Sequence, residues 1–204
     1  VRAVLAQHAT SAAGVLVGEG AGVAGLFAGI KGSLVLTPLS ESGSVGVELG
    51  LALAGKRPVV ELLEAEGLGR AVEALDEALD IPRRSSGSFS APIVVLAPLP
   101  AVGELPRLPA GVRRFIVGNA GDFGPAVVAA LAAAGPTVVL FGTHALDVIG
   151  ETPAGNAGEP VVVRSGAGVV VLAEGDGVAT AVESGGEAHI VDLRGTRDSA
   201  AMAK

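Results

Sequence analysis

The sequence contains no cysteine, no tryptophan and no tyrosine, and it has only five phenylalanines among 204 residues. The missing cysteine excludes disulfides, thiolate zinc sites and a cysteine nucleophile. With so few aromatics, the core must be built from Val, Leu, Ile and Ala. Such residues suit parallel strands buried on both faces and covered by Ala-rich helices. No apolar run approaches the roughly 20 residues needed to cross a bilayer, so no membrane association is expected. Large basic clusters are also missing, since nothing exceeds the pairs Arg83-Arg84 and Arg113-Arg114. Together with a formal net charge of -7, this argues against a nucleic-acid partner.

What is plentiful is glycine. Thirty-one Gly and twelve Pro supply the many turns of a layered α/β fold. A mean hydropathy of +0.59 implies that some apolar surface is covered by another chain, so an oligomer is expected. The opening Val1-Arg2-Ala3-Val4 lacks the layout of a secretory signal, and the expected location is cytoplasmic. The length suits one full domain plus a fragment of a second.

Short apolar runs alternate with helical patterns, which points to βα units. Ser11 to Leu26 reads as a short strand or helix end running into a Gly-rich loop. Strands are expected at Ser33–Leu36, Pro58–Leu63, Ile93–Ala97, Phe115–Val117 and Thr137–Phe141. Helices are expected at Ser42–Leu53, Gly69–Leu79 and Gly124–Ala134. The polar segment 150–160, rich in Gly and Pro, reads as a linker between a domain at 1–149 and a shorter one at 161–204. Beyond it come a hairpin-like Val161–Arg164, a strand Val169–Ala173, a short helix and a strand Ala188–Leu193.

The segment Thr37-Pro38-Leu39-Ser40-Glu41-Ser42-Gly43 places a carboxylate just after a Pro turn, where a helix begins. One reading is helix capping, with Ser40 and the carboxylate satisfying free backbone N–H groups. The other is a buried carboxyl group that exchanges a proton with a cofactor ring.

The wider sequence bears on that choice. Thr37–Gly43 is followed by Val45-Gly46 and by Gly50-Leu-Ala-Leu-Ala-Gly-Lys-Arg-Pro-Val-Val-Glu61. Val17-Gly18-Glu19-Gly20 precedes it, Arg84-Ser-Ser-Gly-Ser-Phe-Ser-Ala-Pro-Ile-Val-Val95 follows, and Ile190-Val-Asp-Leu-Arg194 comes late. In this order the segments resemble the β subunit of the thiamine-diphosphate-dependent decarboxylase component of 2-oxo acid dehydrogenase complexes. That resemblance implies a transketolase-like pyrimidine-binding domain: an α/β fold with a mostly parallel sheet and helices on both faces. A truncated C-terminal α/β fragment would follow it.

In that family the motif glutamate shares a proton with the cofactor's aminopyrimidine, and the exocyclic amine then becomes the base that forms the ylid. The resemblance gives that catalytic role to Glu41 and puts Glu41, Leu39 and Glu64 against the cofactor. It also implies that Glu41 is buried, with a raised pKa. The cofactor would be thiamine diphosphate, with Mg²⁺ supplied by a partner subunit. The partner would be an α-type decarboxylase subunit or another copy of a β-type subunit. No metal site is expected in this chain, and Gly175-Asp176-Gly177 reads as turn chemistry.

Three departures bear on activity. A gap-free alignment through Arg57–Gly67 puts Glu64 and Gly67 where the family has aromatic residues, one of which stacks on the pyrimidine. Such a stack is worth about 1 kcal/mol beyond its area burial. The family's His-bearing loop after the Ile93–Ala97 strand is cut to Pro98–Val112, and His8, His144 and His189 fall elsewhere. The C-terminal domain is too short to bury a core of its own. Two main readings follow. One is a β-type subunit that supplies Glu41 to the cofactor of a heteromeric 2-oxo acid decarboxylase. The other is a catalytically degenerate paralogue with a structural or regulatory role in such an assembly. A small-molecule binding module unrelated to thiamine is a weaker third.

Overall fold

In the computed structural model, residues 1–100, 105, 107–142, 144–147 and 156–195 are described. Six strands, β1 (Gly14–Gly18), β2 (Leu34–Leu36), β3 (Arg57–Glu61), β4 (Val94–Pro98), β5 (Arg113–Val117) and β6 (Thr137–Phe141), are ordered β2-β1-β3-β4-β6-β5 in one sheet. Strands β7 (Val161–Arg164), β8 (Val170–Ala173) and β9 (His189–Asp192) are ordered β7-β9-β8 in a second. By contacts the chain groups into two compact units. The first comprises Val1–Arg113 and Ala130–Val138, and the second Arg114–Ala129 and Val139–Lys204. The linker expected at 150–160 falls largely outside the described residues.

The first unit begins with helix α1 (Arg2–Ala9) and continues through β1 (Gly14–Gly18), β2 (Leu34–Leu36), α2 (Glu41–Leu53), β3 (Arg57–Glu61), α3 (Gly67–Arg84) and β4 (Val94–Pro98). Strand β1 pairs in parallel with both β2 and β3, and β3 pairs in parallel with β4. All five residues of β1 are buried, as the unbroken apolar run requires of a central parallel strand. Helices α2 and α3 pack on each other, and Val45, Leu49, Leu68, Ala71 and Leu75 are buried there.

Helix α4 (Ala120–Ala132) starts four residues before the expected Gly124, α5 (His144–Asp147) was not expected, and two further helices differ from expectation. Helix α1 has no clear signature because only Leu5 and Ala9 are buried and no side chain caps its start. Helix α3 runs through Pro82 rather than ending near Leu79. A proline this close to the end interrupts little of the ladder. The last turn is closed by backbone bonds from Ser85 N–H to Ile81 O at 2.9 Å and from Gly87 N–H to Pro82 O at 2.7 Å, and the chain leaves the helix at Ser86 and Gly87, both with positive φ.

The second unit contains most of α4 (Ala120–Ala132), together with α5 (His144–Asp147), β7 (Val161–Arg164), β8 (Val170–Ala173), α6 (Asp176–Ser184) and β9 (His189–Asp192). Strands β5 (Arg113–Val117) and β6 (Thr137–Phe141) lie mainly in it. Phe123 and Phe141 stack with centroids 5.0 Å apart, so two of the five Phe are spent on one contact. Strand β9 pairs in parallel with β8 and antiparallel with β7. Gly175-Asp176-Gly177 is the start of helix α6. No helix among the described residues is long and apolar enough to cross a membrane.

Candidate functional site

The Thr37–Gly43 motif joins β2 to α2 and is anchored at several points. The Thr37 N–H donates to Gly18 O at 3.2 Å, which fixes the motif at the C-terminal end of β1. The hydroxyls of Thr37 and Ser44, both buried, lie 2.7 Å apart and tie the loop to the first turn of α2. Ser40 is the N-cap, and its Oγ accepts from Gly43 N at 3.2 Å. The Ser40 N–H in turn donates to Glu19 Oε1 at 2.8 Å. The Gly-rich segment and the motif are thus joined through a carboxylate.

Glu41 is the first residue of α2, and its carboxylate meets Arg70 of α3 side-on. Arg70 Nε donates to Glu41 Oε2 at 3.0 Å, and Arg70 Nη2 donates to Glu41 Oε1. The Glu41 side chain is 15% exposed and that of Arg70 56%. The guanidinium, helped by the Glu41 N–H, holds the carboxyl below its ordinary value of 4.5. The expected raised pKa is therefore corrected: the side chain is largely covered, but the forked guanidinium of Arg70 stabilises the ionised form more than burial opposes it.

Gly67, the first residue of α3, makes this pairing possible. A Cβ built there would lie 2.7 Å from Glu41 Cγ and 3.1 Å from its Oε1. Glu41 rests on the bare backbone of Gly67 to reach Arg70. Arg70 also feels the charges of Glu64 and Glu66.

Among solved structures, a split-gene transketolase described as an inactive β4 tetramer superposes with a TM-score of 0.64 at 18% identity. The match covers 95% of this chain and 69% of that one. Transketolase from Leishmania mexicana superposes equally well at 16% identity, covering 92% of this chain and 33% of that one. The fold is transketolase-like. In sequence, the 2-oxoisovalerate dehydrogenase subunit beta of Bacillus subtilis is 44% identical over 63 residues, covering 30% of this chain and 19% of that protein. The pyruvate dehydrogenase E1 component subunit beta of Staphylococcus epidermidis is 42% identical over 76 residues, covering 35% and 22%. The chain thus spans about a fifth of the length of these curated relatives. No family model matches it. The resemblance to 2-oxo acid dehydrogenase β subunits read from the motifs agrees with these relatives.

Within this transketolase-like fold, Glu41 and Glu64 come together around Arg70. Glu64 itself is exposed in the turn before α3, and Leu39 is 86% exposed. The structure shows neither engaged in an enclosed pocket. Sequence reasoning missed Arg70 entirely, because its role depends on how α2 packs against α3.

Other motif residues are structural. Glu61 is buried at the end of β3, where Oε1 accepts from Leu26 N at 2.7 Å and Oε2 from Phe27 N at 3.3 Å. Burial pushes its carboxyl up, and those two N–H groups oppose the rise. Arg57 Nη1 donates to the carbonyls of Leu131 and Ala133, at the C-terminal end of α4. His8 Nε2 lies 2.6 Å from Arg57 O, which accepts its proton. In the second unit, buried Arg194 donates to Asp122 Oδ1 at 2.9 Å, and its own N–H to Asp192 Oδ1 at 2.9 Å. The cavity beside Asp122 and Arg194 is about 30 Å³, room for one water, so it is no cofactor site. Among the described residues no cluster of His, Asp and Glu is arranged to hold a metal.

Proposed function

We propose that this chain is a β-type relative of the thiamine-diphosphate-dependent 2-oxo acid dehydrogenases that keeps the fold and serves an assembly in a structural or regulatory role. The single observation that carries this reading is the two-point pairing of Glu41 with Arg70. A glutamate that activates an aminopyrimidine must share a proton with a ring nitrogen. Glu41 instead has both oxygens committed to a guanidinium, and it titrates below the ordinary range. The residues present do not fit the cofactor ring in other respects. Glu64 puts an exposed carboxylate where the ring would be stacked, and Gly67 offers no side chain at all.

Calorimetric titration of the purified chain with Mg²⁺–thiamine diphosphate, alone and with an α-type subunit, tests this. The expected result is no binding heat that depends on Glu41. Binding that is present in the wild type and lost in Glu41→Gln would overturn the reading and restore a catalytic β subunit.

A further inference from the structure

Glu48 belongs to none of the chemistry above. It lies seven residues after Glu41 on α2, close to two turns further on and on the same face of the helix. Its exposure is 0%. Oε1 accepts from Val94 N of β4 at 2.9 Å, while Oε2, with only the Val60 N–H close to the carboxyl, makes no hydrogen bond of good geometry. Helix α2 packs against α3, β3 and β1, and no charged group from these elements faces Glu48. Arg57 is committed to His8 and to the residues ending α4, and Glu61 to Leu26 and Phe27. The buried residues of α3 are Gly67, Leu68, Ala71, Leu75 and Ala78, none of them charged. Strands β1 and β4 carry no charged residue.

We propose that Glu48 is a buried proton-binding site whose ionisation unseats helix α2, and with it the helix start where Glu41 sits. A carboxylate with no counter-charge cannot stay in an apolar layer, so the folded chain holds the protonated acid. Burial raises its pKa well above 4.5, against the pull of the Val94 and Val60 N–H groups. Loss of the proton at higher pH leaves two outcomes: the chain keeps a bare buried charge, or α2 lifts and admits water. The second is favoured because α2 is a single helix packed on β1 and β3 and followed at once by a turn, so it can lift without breaking a strand pairing. The inference holds whether or not Glu41 ever meets a cofactor.

Amide hydrogen exchange of Val94 and of α2, corrected for intrinsic rates, reads the opening equilibrium from pH 5 upward. The wild type should open about tenfold more for each pH unit between the unfolded and folded pKa values of one carboxyl group. Glu48→Gln should keep the bond from Val94 and show a flat profile. If that variant fails to fold, ¹³C-carboxyl NMR of Glu48 in the wild type decides instead. A midpoint well above 4.5 that coincides with the opening transition supports the inference. A Glu48 titration at the ordinary glutamate value overturns it, as does a Glu48→Gln profile that keeps the wild-type slope.

Discussion

Replacing Gly67 with alanine adds one methyl group in a place where the structure leaves no room for it. The new Cβ would stand 2.7 Å from Glu41 Cγ, whereas carbon atoms in good contact lie about 3.5 Å apart or more. The Glu41 side chain must therefore move by about 0.8 Å. Its bond to Arg70 Nε, now 3.0 Å, would then stretch to roughly 3.8 Å, outside hydrogen-bonding range. Stability should change little. Alanine gains up to about 1 kcal/mol over glycine in a helix, and an exposed ion pair contributes little. The assay is NMR of the Arg70 Nε–H, with urea denaturation as the control. In the wild type that proton should give a sharp, slowly exchanging signal, and in Gly67→Ala the signal should broaden or vanish while the urea midpoint holds. An unchanged Arg70 Nε–H signal in a folded Gly67→Ala protein would refute the idea that bare backbone at position 67 seats Glu41.

Asp122→Ala removes the carboxylate that accepts from buried Arg194 Nη2, and breaking such a pair should cost up to about 3–5 kcal/mol in urea denaturation. Asp192 is pushed up by burial to about 6, so the folded chain binds its proton more tightly than the unfolded chain does. Stability should therefore fall as pH rises from about 4 to 6, by roughly 3 kcal/mol. Asp192→Asn should remove that part of the slope, which is separate from the further fall at higher pH expected of buried Glu48. Leu75→Ala, at a fully buried contact of α3, should cost about 2–5 kcal/mol by the same measurement.

The architecture was readable in the sequence because its signals are local. The apolar run Thr137–Phe141 is strand β6 residue for residue, whereas Val161–Arg164, read as hairpin-like, is a strand that pairs with β9 and not with the following β8. The start of α2 was marked by Ser40 and Glu41, and the Ser40 cap is present. Helix α1 was not readable, since burial of two residues leaves almost no periodic stripe. At the site, the departures at Glu64 and Gly67 were visible, but their consequence was not. Arg70 lies 29 residues from Glu41 in sequence, and only the packing of α3 on α2 brings the guanidinium to the carboxylate. Family likeness suggested a raised pKa for Glu41, and one cation contributed by the neighbouring helix reversed the sign.

The pH titration of the Glu41 carboxyl by ¹³C NMR, in the wild type and in Arg70→Gln, tests the central claim most directly. Arg70 is predicted to hold Glu41 ionised, so the wild-type midpoint should lie below 4.5 and move upward when Arg70 is removed. A wild-type midpoint at or above 4.5, unmoved by Arg70→Gln, would contradict the account and leave Glu41 free to share a proton.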